Sequence, residues 1–272
     1  MTKRIKNQPI IDAHCHIGPP LSGEELIQMM DQAGVDRAIV FPTPFRWSLP
    51  RKDNYYNTND YIGEMQNKYP DRLIGFACIN PHYTGNKELG MPNLAVNELE
   101  RCVKELGLKG VKIHPENHCF SVDTLVDSEL METLVRLQEE ENRKIPILSH
   151  AMTTMGATPH QFGVLASKYP DVPIIIAHGA GFQNLYFPST EPVKEHKNLF
   201  VDTAMTTVDD LRLIGVAKTV GVDKVVFGSD HFSRGQKNLY GNFFYILKRA
   251  FPDTKERKLI LGGNMAKIFG CD

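Results

Sequence analysis

Eight short apolar runs, rich in β-branched residues, recur along this chain at near-regular intervals. They are Ile10–Asp12, Ala38–Phe41, Leu73–Ile79, Gly110–Ile113, Ile145–Leu148, Val172–Ala177, Leu199–Val201 and Lys224–Phe227, and their first residues stand 25 to 37 positions apart. A strand followed by its crossover helix needs about 30 residues. Continuous apolar runs suit parallel strands buried on both faces. The intervening segments carry helical spacing with recognisable ends. Ser22 and Glu25 stand at capping-box spacing ahead of Leu26, Met29, Met30 and Ala33, with Gly34 as a stop. Leu99, Cys102, Val103 and Leu106 end at Gly107, and Thr158-Pro159 opens a segment that stops at Pro170. Eight strand–helix alternations without a Ser/Gly/Pro-rich linker predict one (β/α)8 TIM barrel over residues 1–272. An open doubly wound sheet fits less well, because no Gly-rich dinucleotide turn follows an early strand.

Composition narrows the partners. With 31 Lys and Arg against 32 Asp and Glu, the formal charge of -1 argues against nucleic acid and against an anionic membrane surface. No stretch approaches the roughly 20 apolar residues of a membrane span. Five scattered cysteines with no CxxC pair give neither a disulfide scaffold nor a Cys-rich zinc module. A cytoplasmic protein with a small-molecule substrate is expected, with assembly into a homo-oligomer left open.

Barrel chemistry lies at the C-terminal ends of the strands. There the chain places His14 and His16, then Lys112 and His114, His150, His178 and Asp230. Alternation along a strand points His14 and His16 the same way, with Cys15 opposite. The same parity puts Asp12 on the His14 face, within reach of a ligand, and turns His231 away from Asp230. Imidazole and carboxylate at several strand ends are ligands for a divalent metal: zinc first, with manganese, iron, cobalt or nickel as alternatives. A cation there lowers the pKa of water from 15.7 to roughly 7. Asp230 suits the role of proton carrier, and His178 that of polarising a carbonyl or orienting water.

The segments IIDAHCHIG, GVKIHP, PILSHA, IIIAHGAG, LFVDTAM, VVFGSDH and ILGGNMAKIFG span almost the whole chain. Together they resemble the amidohydrolase superfamily, specifically the amidohydrolase 2 group of metal-dependent hydrolases and decarboxylases. The resemblance implies that His14, His16, His150 and Asp230 hold the metal. It gives His178 a catalytic part or a second metal, and Lys112 the place of a second-metal ligand that some relatives carboxylate. Lys112 has two expected fates: a carbamate bridging two metals, or pairing with Asp12 or Asp230 beside one metal. The second is preferred.

The expected activity is metal-dependent hydrolysis of an ester, lactone or amide. The alternative is decarboxylation of a small unsaturated or aromatic acid, with a phosphoesterase and a non-catalytic metal-binding protein as further rivals. For substrate contacts, Arg46 in the loop after the second strand and His114 are the candidates, with Trp47, Arg51 and Tyr55 nearby. Phe182, Tyr186 and Phe187 belong to a second candidate lid or subunit contact.

Overall fold

The computed structural model describes residues 9–42, 52–83, 89, 93–151, 156–179, 190–204, 210–232, 235–236 and 238–270. Its strands are β1 (Ile11–Ile17), β2 (Arg37–Pro42), β3 (Leu73–Cys78), β4 (Gly110–Ile113), β5 (Ile147–Ser149), β6 (Ile174–Ile176), β7 (Leu199–Asp202) and β8 (Val225–Val226). They pair in sequence order, every neighbouring pair parallel, as one curled eight-stranded sheet. Helices α1 (Gly23–Ala33), α2 (Lys52–Lys68), α3 (Leu94–Lys104), α4 (Pro115–His118), α5 (Glu129–Glu140), α6 (Pro159–Lys168), α7 (Glu191–Glu195), α8 (Asp210–Val220), α9 (Leu239–Ala250), α10 (Thr254–Lys258) and α11 (Asn264–Ile268) connect and follow them. This is the strand order of a (β/α)8 barrel. None of the described helices is long and apolar enough to cross a membrane.

Local chemistry accounts for the element ends. The Ser22 hydroxyl accepts from the Glu25 amide while the Glu25 carboxylate accepts from the Ser22 amide, and Gly34 closes α1 in the left-handed conformation. Thr158 and Gln161 make the equivalent start for α6.

Both faces of the sheet are buried, as continuous apolar strands require. Ile39 and Phe41 of β2 join an inner cluster with Ile74, Phe76, Leu148, Ile175 and Val226, which Met265 and Ile268 of α11 also enter. Ala38 and Val40 belong to the larger cluster between sheet and helices.

One irregularity overturns an expectation. In β1, Asp12 pairs with Ala38 but Cys15 pairs with Val40, so Ala13 and His14 together oppose Ile39. This β-bulge resets the alternation. His14 and His16 share the inner face, as expected. Asp12 does not: like its partner Ala38, it lies on the helix side of the sheet.

Between the two ends of the sheet there is no ladder among the described residues, but backbone hydrogen bonds join them. Ala13 donates to the Phe227 carbonyl at 2.7 Å, Asp230 to that of His14 at 2.8 Å, and His16 to that of His231 at 2.7 Å. The segment leaving β8 therefore runs beside β1.

Candidate metal centre

Three side chains converge at this seam. His14 and His16 come from β1 and Asp230 from the turn after β8. All three are buried, and one ligand atom from each lies within 4.8 Å of the others. Asp230 Oδ1 stands 3.4 Å from His14 Nε2 and 3.2 Å from His16 Nε2.

Each imidazole is held from behind. His14 Nδ1 lies 2.7 Å from Asp202 Oδ2, and His16 Nδ1 lies 3.0 Å from the Pro42 carbonyl. Carboxylate and carbonyl oxygens accept, so each Nδ1 carries the hydrogen and each Nε2 turns a lone pair towards Asp230. Burial, reinforced by the Lys112 charge, holds His14 well below the ordinary histidine pKa, so it stays neutral. Burial works against ionisation of Asp230, and positive charge on the neighbouring histidines, His14 and His16 first, would pull that carboxyl down; a cation between them would supply that charge while the rings stay neutral. Two imidazole nitrogens and one carboxylate oxygen fit a divalent cation, and three protein ligands leave positions for substrate.

Asp202 is the residue that reading strand ends overlooked. It closes β7, and its Oδ1 accepts from the amides of His178 at 2.8 Å and Ala204 at 3.0 Å. Burial pushes it up to about 6, against the pull of His178 and these amides. The signal was present: Asp202 follows the apolar run Leu199–Val201, as Asp230 follows the run into Phe227.

His178 and Asp230 both adopt positive φ, 59° and 56°. Non-glycine residues seldom do so, and here both occur where a strand end turns into its loop.

His150 stands outside the three-residue group. Its Nε2 lies 3.1 Å from Glu116 Oε2, its Nδ1 lies 3.0 Å from His178 Nε2, and the His114 ring stacks on it at 3.9 Å. Because the Glu116 carboxylate accepts, His150 donates from Nε2 and receives the His178 Nε2–H at Nδ1. Burial pushes His150 down to about 2 and His114 far below its ordinary range. His114 Nδ1 is committed to the Asn117 amide at 3.1 Å, capping α4. Glu116, on that one-turn helix, was not foreseen, since no periodicity marks so short an element.

Lys112 is buried inside, with Nζ 3.5 Å from His14 Nε2 and 4.6 Å from the centre of the Phe41 ring. Burial pushes it down to about 8, opposed by Asp202 and Asp230. The expected pairing with Asp12 is ruled out, because the bulge sends Asp12 to the other face. Cys15 also faces away, its thiol 3.0 Å from Asp12 and pushed well up in pKa by burial. Arg46, Trp47, Arg51, Phe182, Tyr186 and Phe187 lie outside the described residues, as does the side chain of Tyr55.

Residues 11–271 match the amidohydrolase family model. A 2-amino-3-carboxymuconate-6-semialdehyde decarboxylase of Dictyostelium discoideum is 23% identical over 289 residues, covering 90% of this chain and 76% of that protein. A 2-keto-4-carboxy-3-hexenedioate hydratase of a Sphingobium species is 24% identical over 251 residues, covering 78% and 70%. Among solved structures, a dihydroxybenzoic acid decarboxylase of a Polaromonas species, with bound manganese and 2-nitroresorcinol, superposes with a TM-score of 0.69 at 18% identity, covering 97% of each chain. That likeness bears on the fold. The family match, running from the start of β1 to beyond α11, identifies the chain as a member of the amidohydrolase family.

Proposed function

We propose that this protein is a metal-dependent decarboxylase of a small unsaturated or aromatic carboxylic acid, working at the mouth of a closed single-domain (β/α)8 barrel. The observation that carries the reading is the convergence of His14, His16 and Asp230 within 4.8 Å at the β1–β8 seam. The relatives' activities favour decarboxylation over the hydrolysis expected first: two of the three described above are decarboxylases, and the third is a hydratase.

A bound divalent cation would supply a Lewis acid that anchors the substrate's oxygens. His14, His16 and Asp230 would hold it, and two imidazoles with a carboxylate suit zinc and manganese alike. His150, which the resemblance makes a fourth ligand, would have to leave Glu116 to join them.

Loss of carbon dioxide from a carboxylate consumes one proton per turnover, delivered to the carbon that keeps the electron pair. We assign that delivery to His178. Its Nε2 is hydrogen-bonded to His150, whose far nitrogen meets Glu116, a half-buried carboxylate at the edge of the site. This line connects the interior with solvent. Lys112 Nζ, 3.5 Å from His14 Nε2, would donate a hydrogen bond to an oxygen of an anionic substrate.

Hydrolysis remains a second reading because of one observation. Asp230 Oδ1, 3.4 Å from His14 Nε2 and 3.2 Å from His16 Nε2, would lie beside water on a cation held there and could take its proton. The metal-loaded protein, offered small aromatic and unsaturated acids beside esters and lactones, separates the two. Carbon dioxide release with proton uptake supports decarboxylation; acid release without carbon dioxide supports hydrolysis.

A further inference from the structure

We propose that Asp12 is a positioning residue of the metal centre: its buried carboxylate clamps β1 to the segment after β8 and so sets the spacing of His14, His16 and Asp230. The inference rests on the metal-binding reading above.

Asp12 is fully buried, on the helix side of the sheet, opposite the three ligands. Its Oδ1 accepts from two backbone amides, His14 at 3.0 Å and Ser229 at 2.9 Å. One atom thus ties the amide of a ligand on β1 to the amide next to Asp230. Its Oδ2 accepts from the Ser229 hydroxyl and from the Cys15 thiol, the latter at 3.0 Å. The Ser229 oxygen in turn lies 2.9 Å from His231 Nδ1, which donates to it.

Four donors meet one acceptor-only group, which an ionised carboxylate satisfies completely. Asparagine keeps a single acceptor oxygen and glutamate is one methylene too long. The backbone bonds His16–His231 and Asp230–His14 flank the same clamp, so a shift here moves all three ligands. The cluster is not a second nucleophilic site. Ser229 lies between Asp12 and His231, the reverse of the order in which a histidine activates a serine, and all three are at most 1% exposed.

The test is manganese binding by calorimetry to full-length wild type, Asp12→Ala, Asp12→Asn and Asp12→Glu, with far-UV circular dichroism as the fold control. Asp12→Ala is expected to retain the native spectrum and weaken binding by about 10–100-fold, the usual scale for groups that support metal ligands. Asp12→Asn keeps the Oδ1 bridge and is expected to recover binding to within a few-fold of wild type. A merely structural role would lower the unfolding temperature of both variants and leave their affinities equal. A folded Asp12→Ala with wild-type affinity overturns the proposal. If Asp12→Ala does not fold, Asp12→Glu replaces it: weaker binding than Asp12→Asn supports the clamp, and equal binding overturns it. If wild type itself takes up no manganese, the metal-binding reading falls first, and the clamp with it.

Discussion

His14 Nδ1 lies 2.7 Å from Asp202 Oδ2, and this contact decides which nitrogen of His14 faces His16 and Asp230. A carboxylate requires a hydrogen on Nδ1, which leaves Nε2 free as a donor to a cation. In Asp202→Asn the amide can present its NH2 to Nδ1 and invert the tautomer. Metal affinity is expected to fall by about 10–100-fold, read by competition with a chelator of known affinity. Unchanged affinity would remove Asp202 from the centre.

Gly228 sits where three strands meet. A Cβ there would stand 2.9 Å from His14 Cβ and 3.3 Å from Asp202 Cβ. Neither atom is the far end of a flexible chain, so the backbone must give way. Its amide and carbonyl are also bound to Thr203 Oγ1, at 3.0 and 2.9 Å. Gly228→Ala is expected to lower stability by roughly 1–3 kcal/mol, read from its unfolding midpoint, and to weaken metal uptake. A variant as stable as wild type with full metal content would show that the seam is looser than described.

Asp230→Asn tests the carboxylate proposed to hold the metal and, in the hydrolytic reading, to take a proton from water. Asparagine tolerates the left-handed backbone at this position as readily as aspartate, so the fold should survive. The amide is neutral and cannot accept a proton as the carboxylate does. Turnover is expected to fall on the order of 10²–10⁴-fold, measured as kcat with metal content determined in parallel. Wild-type kcat in a metal-loaded variant would contradict the assignment.

Metal-free protein should be acid-sensitive. Burial holds His14, His114 and His150 below the ordinary histidine value of 6.5. As pH falls below about 6.5 the unfolded chain takes up protons there and the folded chain does not, so stability present above that pH is lost. With its pKa pushed down to about 2, His150 alone accounts for on the order of 2 kcal/mol between pH 6.5 and about pH 5. Asp202 acts oppositely: raised from 3.8 to about 6, it costs stability as pH climbs through that window. Asp12, also raised by burial, acts with Asp202, while burial lowers His118, His178 and His231 as well, so six histidines oppose two carboxyls and outweigh them. The urea midpoint in chelator is therefore expected to be lower at pH 5 than at pH 7.5; an equal or higher midpoint would mean these rings are not held neutral.

Most of the architecture was legible in the sequence, because a parallel strand buried on both faces must be apolar throughout and its helix must start and stop. Each of the eight runs overlaps a strand, though β1 extends well beyond its run, and the Ser22 cap and Gly34 stop are where the chain chemistry puts them. The pairing of His14 with His16 followed from parity. Parity failed at Asp12, because a bulge consumes one extra residue and leaves no mark in hydrophobic pattern. Glu116 was hidden for a related reason: a one-turn helix has no period to read. His150 sits at the expected strand end, but its hydrogen bonds, which no sequence displays, turn it to Glu116 and His178.

The central claim is that one divalent cation is held by His14, His16 and Asp230. An anomalous-scattering map of crystals grown with manganese, collected on the full chain, tests it most directly. A single strong peak is expected within bonding distance of His14 Nε2, His16 Nε2 and an Asp230 oxygen, with no carbamate on Lys112. No peak at that seam, or a peak held by His150 and Glu116 instead, would contradict it.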